Sequence, residues 1–225
     1  MTEQTDTKHG FKVRLFYLFL FAALFFIILF SVAAGLTYSF DESLLLGFYS
    51  IRNEALTVGF SAFTFLGNTY TVVVICVILL VLPWRMRVGL PVTLMVVAGW
   101  LIQTLVKTVV ARPRPCPLRW LIDMPLSEYF QSFPSGHSNI SFILWIALAV
   151  LIGRLLLSKN RRGLAAVLRV VFIIVAVLIA LSRPYLGVHY PTDVFGGWAL
   201  ACLILTVGFF LYDKYWPISP LKNHD

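Results

Sequence analysis

"VGLPVTLMVVAGWLIQTLVKTVVARPRP" (Val88 to Pro115) decides what kind of protein this is. Residues 88–106 hold no charged side chain and come close to the ~20 apolar residues that carry a helix across the hydrocarbon core of a bilayer. Lys107, Arg112 and Arg114 then arrive where such a helix leaves the bilayer, and Pro113 and Pro115 stop it. Cations at a helix end either snorkel to the headgroups or face an anion.

The same pattern recurs along the chain. Apolar blocks at 15–36, 60–82, 88–106, 138–157, 164–181 and 194–212 predict six membrane spans, with Gly67-Asn68 interrupting the second. The segment 41–58, "DESLLLGFYSIRNEALTV", is amphipathic and is expected to lie along the interface before the second span. The expected fold is therefore all-α: a polytopic six-transmembrane-helix bundle with an interfacial helix between spans 1 and 2. It is read as a single membrane-integral domain over residues 1–225. A hydrophobic content of 60% with only 12% charged residues, and a mean hydropathy of +0.88, exclude a soluble globular domain. The first apolar block is too long, and lacks a small-residue cleavage site, to be a removable signal peptide. Cys76, Cys116 and Cys202 are odd in number and without paired spacing, which argues against a disulfide framework or a zinc site.

The net charge of +8 is not a nucleic-acid footprint, because the basic residues are scattered between apolar spans. It reads instead as topology and as attraction to anionic headgroups. With a cytoplasmic N-terminus, 12 of the 18 Lys and Arg residues fall inside, from Lys8 to Lys222. The outside keeps Arg52, Lys107, Arg112, Arg114, Arg119 and Arg183. This bias predicts a multi-pass cell-membrane protein with both termini cytoplasmic. The loops 107–137 and 182–193 then share the periplasmic or exterior side.

Those two loops hold nearly all the reactive chemistry. His9 and His224 sit in the tails, whereas His137 and His189 sit in the loops. In "FPSGHSNIS" (Phe133 to Ser141), Ser135-Gly136-His137 opens the fourth span, so free backbone N–H groups and the positive end of the helix dipole point into the loop region. Gly136 leaves room for close approach. Lys107, Arg114 and Arg183 are candidates to converge there, and arginine forks match phosphate oxygens. His189 precedes Asp193 by four residues. A carboxylate on one ring nitrogen fixes the tautomer and leaves the other nitrogen basic, as attack on phosphorus requires. His137 can then protonate the departing oxygen. Taken singly, each residue has a plain alternative: Ser135 or Asp193 as a helix cap, Lys107 as a snorkelling side chain. A metal triad of two histidines and a carboxylate is the weaker joint reading, because the surrounding cations would repel a divalent ion.

Three groups of residues resemble the signature motifs of the type-2 phosphatidic acid phosphatases, the lipid phosphate phosphatases related to vanadium haloperoxidases. They are Lys107 with Arg114-Pro115, then Pro134-Ser135-Gly136-His137, then Ser182-Arg183 with His189 and Asp193. The resemblance implies six transmembrane helices with the active site at the outer membrane face. It also implies a phosphohistidine on His189, with Asp193 as its partner and His137 as the acid. Lys107, Arg114, Ser135, Gly136 and Arg183 would bind the phosphoryl group, with no metal and no cofactor. The expected activity is that of a hydrolase acting on a phosphorylated membrane lipid: phosphatidylglycerophosphate, phosphatidate or undecaprenyl pyrophosphate. The alternative is a transporter or flippase of a phosphorylated lipid. Arg112 falls outside the motif and is expected to steer anionic headgroups or to snorkel.

Overall fold

The computed structural model describes residues 2–115 and 131–215, and among these every regular element is helical. In chain order they are α1 (Thr2–Ala33), α2 (Tyr38–Ser50), α3 (Glu54–Phe65), α4 (Thr69–Val81), a π-helical turn (Arg85–Gly89), α5 (Leu90–Val110), α6 (Gly136–Ser158), α7 (Arg162–Tyr185) and α8 (Pro191–Tyr215). Among the described residues five helical stretches are long and apolar enough to cross a membrane, and there are six if α3 and α4, bent by 45° at a short break, count as one span.

Local chemistry explains the boundaries. The expected second span breaks because Asn68 turns out of the helix and its Oδ1 accepts from Thr71 N at 2.7 Å, capping a new start. The segment expected to lie whole along the interface is likewise divided. Asn53 caps α3, its Oδ1 accepting from Leu56 N at 2.9 Å. Residues 54–58 therefore belong to the broken span, and the interfacial element is α2 alone. α5 runs four residues past the expected 106, to Val110. It then stops at Ala111, whose φ of 46° lies in the left-handed region. For alanine that conformation costs about 1–2 kcal/mol, and it turns the Arg112–Pro115 segment away from the helix axis.

α6 is the central pillar, packed along α7 and against α5 and α8, while α1 lies against α8 and α3 against α7. Half of the apolar window of α6 is buried inside the protein, against 11% for α1, so α1 faces mostly lipid. Ile143, Leu144, Ala147 and Leu151 of α6 are fully buried beside Leu200, Ala201 and Ile204 of α8. This helix-on-helix core brings to one end of the bundle the end of α5, the start of α6, the end of α7 and the start of α8. Cys76 and Cys202 are free thiols. Cys116, Arg119 and His224 lie outside the described residues.

Candidate active site

The five residues between α7 and α8, Leu186 to Tyr190, carry His189 into the interior, where it is 2% exposed. Pro184 in the last turn of α7 and Gly187 at φ 72° end that helix. Asp193 follows in the first turn of α8 and is fully buried. Its Oδ2 lies 3.4 Å from His189 Nδ1 and accepts from Tyr190 N at 2.9 Å and Ser132 Oγ at 2.5 Å. On the other side of the ring, Arg114 Nη1 lies 3.4 Å from His189 Nε2 and donates to Val188 O at 3.2 Å. With the carboxylate on Nδ1, Nε2 faces a cation.

Burial first, then the charges of Arg114, Lys107 and Arg183, push His189 well below its ordinary pKa. The ring is thus neutral at pH 7, with its Nε2 lone pair available. The three cations expected from the sequence all act on this histidine. His137 lies within electrostatic reach of Arg183, His189, Arg114 and Lys107. Lys107, in the last turn of α5, donates to Gln131 O. Arg183, in the last turn of α7, is 9% exposed and donates to Thr64 Oγ1 of α3. Its buried Nε finds no acceptor among the described residues, and an anion would supply one.

Ser135 and Gly136 form the N-terminus of α6. Ser135 Oγ accepts from Ser138 N and Ser138 Oγ, at 3.4 and 2.9 Å, so its hydroxyl caps the helix. Ser135 N donates to Asp193 O at 3.0 Å, tying the loop to α8. The two helices meet here because position 197 is glycine: a Cβ there would sit 3.0 Å from Ser135 O and 3.2 Å from Asn139 N. Asn139 Nδ2 in turn donates to Gly99 O and Gln103 Oε1 of α5, at 3.1 and 3.0 Å. All eight candidate residues, Lys107, Arg114, Ser135, Gly136, His137, Arg183, His189 and Asp193, therefore gather at one end of the bundle.

Arg112 overturns its sequence expectation. It is 4% exposed, so it neither snorkels nor reaches out to headgroups. Its Nη1 donates to Asp193 Oδ1 at 2.7 Å and Thr192 Oγ1 at 2.9 Å. Its Nη2 donates to Asp41 Oδ2 at 2.6 Å and Thr37 Oγ1 at 3.2 Å. Burial opposes the charge, but Asp193 and Asp41 outweigh it and hold the guanidinium above its ordinary pKa. The sequence reading missed Ser132, Gln103, Asn139 and Asp41. Only Asp41 left a signal, as the acid that opens the amphipathic segment expected along the interface.

Comparison with known proteins places this arrangement. A sequence model of the PAP2 superfamily matches residues 88–217, more than half of the chain, and the chain belongs to that superfamily. It is 37% identical over 86 residues to a phosphatidylglycerophosphatase B of Bacillus subtilis (strain 168), a stretch covering 37% of this chain and 38% of that protein. It is 29% identical over 160 residues to an undecaprenyl-diphosphatase of Sulfolobus acidocaldarius, covering 70% of this chain and 69% of the other. The crystal structure of a transmembrane PAP2-type phosphatidylglycerolphosphate phosphatase from Bacillus subtilis superposes with a TM-score of 0.73 at 28% identity, over 88% of this chain and 95% of that one. These homologues are lipid phosphatases, and this chain is, like them, a multi-pass membrane protein.

Proposed function

We propose that the chain is a lipid phosphate phosphatase in which His189 attacks phosphorus and His137 protonates the leaving oxygen. Asp193 holds the attacking ring, while Lys107, Arg114, Ser135, Gly136 and Arg183 bind the phosphoryl group. The observation that carries this reading is the setting of His189: Asp193 on Nδ1, and Arg114 3.4 Å from Nε2. An anion drawn by the cations meets the one ring nitrogen whose lone pair is available.

In the first step the Nε2 lone pair forms an N–P bond as the P–O bond to the lipid breaks, and the departing oxygen takes a proton from His137. The His189 ring keeps its Nδ1 proton and gains one positive charge. In the second step water attacks phosphorus and passes a proton to His137. The N–P bond then breaks, releasing inorganic phosphate and neutral His189. The cations stabilise the charge on the transferring group in both steps.

A phosphorylated lipid is the substrate class, represented by phosphatidylglycerophosphate, phosphatidate or undecaprenyl pyrophosphate. An apolar cavity of about 580 Å³ supports it, lined by Phe25 and Leu29 of α1, Ile102 and Val106 of α5, and Leu200 and Ile204 of α8. Val106 is the neighbour of Lys107, so an apolar chain in this groove would bring its headgroup to the cations. A transporter expects polar groups near the midplane, whereas these gather at helix ends. The charge bias supports a site on the periplasmic or exterior side.

Purified protein in detergent should release inorganic phosphate from these lipids with EDTA present. Vanadate should inhibit, since it adopts the geometry of the phosphoryl transition state. Loss of activity in EDTA, restored by a divalent ion, would contradict the assignment of the charge-stabilising role to Lys107, Arg114 and Arg183.

A further inference from the structure

Behind His189, Asp193 is joined to two buried charged residues, Arg112 and Asp41, that the phosphatase chemistry above does not use. Asp41, at 0% exposure, comes from the interfacial helix α2, some 150 residues away in sequence from the chain it touches. Its Oδ1 accepts from Thr192 N at 2.9 Å, and its Oδ2 from Thr192 Oγ1 and Arg112 Nη2, both at 2.6 Å. Arg112 thereby bridges two carboxylates, Asp41 and Asp193, with one guanidinium. The guanidinium is also stacked, its centre 4.2 Å from the Tyr190 ring and 5.6 Å from the Tyr38 ring. It is therefore held rigidly as well as charged.

Such an arrangement is expensive to bury, and an arginine paired with Asp193 alone would be cheaper. The distinction is one of charge. Asp193 with Arg112 alone sums to zero; adding Asp41 leaves the trio at −1. Phosphorylation of His189 on Nε2 leaves a ring with one positive charge and Nδ1–H pointing at Asp193.

We propose that Arg112 and Asp41 are positioning residues for the His189–Asp193 pair: Arg112 fixes the Asp193 carboxylate, and Asp41 offsets Arg112. The backing of the ring thus keeps one net negative charge, matched to the cationic phosphohistidine. The interfacial helix is thereby part of the reaction's electrostatics. This inference rests on the phosphohistidine reading, and it assigns no contact with substrate to either residue.

Two variants separate charge balance from simple structural support. Asp41→Asn keeps the shape and the acceptor for Thr192 N but brings the trio to zero. It should lower kcat by at least about tenfold with KM changed less than about twofold, and should slow formation of the trapped phosphoenzyme to match. The double variant Asp41→Asn/Arg112→Gln removes one charge of each sign and returns the cluster to −1. It restores the net charge but gives up the ion pair by which Arg112 fixes Asp193, so it should recover part of the lost kcat and stay below the unaltered protein. A structural role predicts the opposite, a double variant worse than the single one. An Asp41→Asn protein with unchanged kcat overturns the proposal, as does a folded double variant no faster than the single. Should the double variant not fold, the Asp41→Asn kcat and KM still decide. The unaltered protein, assayed beside them, tests the phosphatase reading by itself: no phosphate release there defeats that reading, whatever the variants do.

Discussion

His189 and His137 are expected to fail differently when removed. On the proposed roles, His189→Ala deletes the atom that bonds to phosphorus and should abolish both turnover and any acid-labile phosphoenzyme. In the proposed mechanism His137→Ala deletes the proton donor of the first step and the proton acceptor of the second, so its cost in the first step depends on the leaving group. A lipid alkoxide needs that proton, and the loss should reach about 10²–10⁴-fold, the usual worth of general acid catalysis. An activated aryl phosphate leaves without help and should lose far less in phosphoenzyme formation. Equal losses on both substrates, or a phosphoenzyme in His189→Ala, would reverse the roles. All eight candidate positions were nameable from the motifs that resemble the phosphatase signatures, and the structure brings them to one end of the bundle, their roles being what these variants test. Arg112 was not nameable in this way. Its burial follows from Ala111 turning into the left-handed region and from partners on α2 and α8, and no local pattern announces either.

Elements position the site through their close approaches, and the contact of α8 with the start of α6 is the one that reaches the Ser135 backbone. Alanine at position 197 would place Cβ 3.0 Å from Ser135 O, a backbone atom of the turn that caps α6. Gly197→Ala should therefore lower kcat/KM by about tenfold or more, despite the gain of about 1 kcal/mol in helix propensity that alanine brings. Gly47→Ala, in α2, meets nothing within 4 Å and serves as the control, with activity unchanged and thermal stability equal or higher. If Gly197→Ala also keeps full activity, the α6–α8 contact does not set the site's geometry. The spans themselves were readable from apolar run length, with boundaries shifted by a few residues, at Asn53, Asn68 and Ala111 by caps. The interfacial helix was readable as amphipathic, but its hold on Asp193 was not. One buried acid in a polar stripe looks like any other until its partner is placed.

At the scale of the whole molecule, the charge bias becomes a statement about sidedness. In a background without Cys76, Cys116 and Cys202, cysteine at Glu54, exposed at the start of α3 on the site's end, should react with an impermeant thiol reagent in intact cells. Cysteine at Arg161, between α6 and α7 at the other end, should react only after the membrane is opened. The reverse pattern would place the site in the cytoplasm. Whichever side it is, all eight candidate residues stand at one end of the bundle, and the apolar groove begins beside Lys107 at that same end. A catalyst with its site there would read a single leaflet. A lipid whose phosphate lies in the opposite leaflet is out of its reach until something else carries the headgroup across. Its dephosphorylated product likewise appears on the side where the phosphate was lost. Hydrolysis here is thus also a source of asymmetry between the two monolayers, and its supply is set by whatever moves lipids between them.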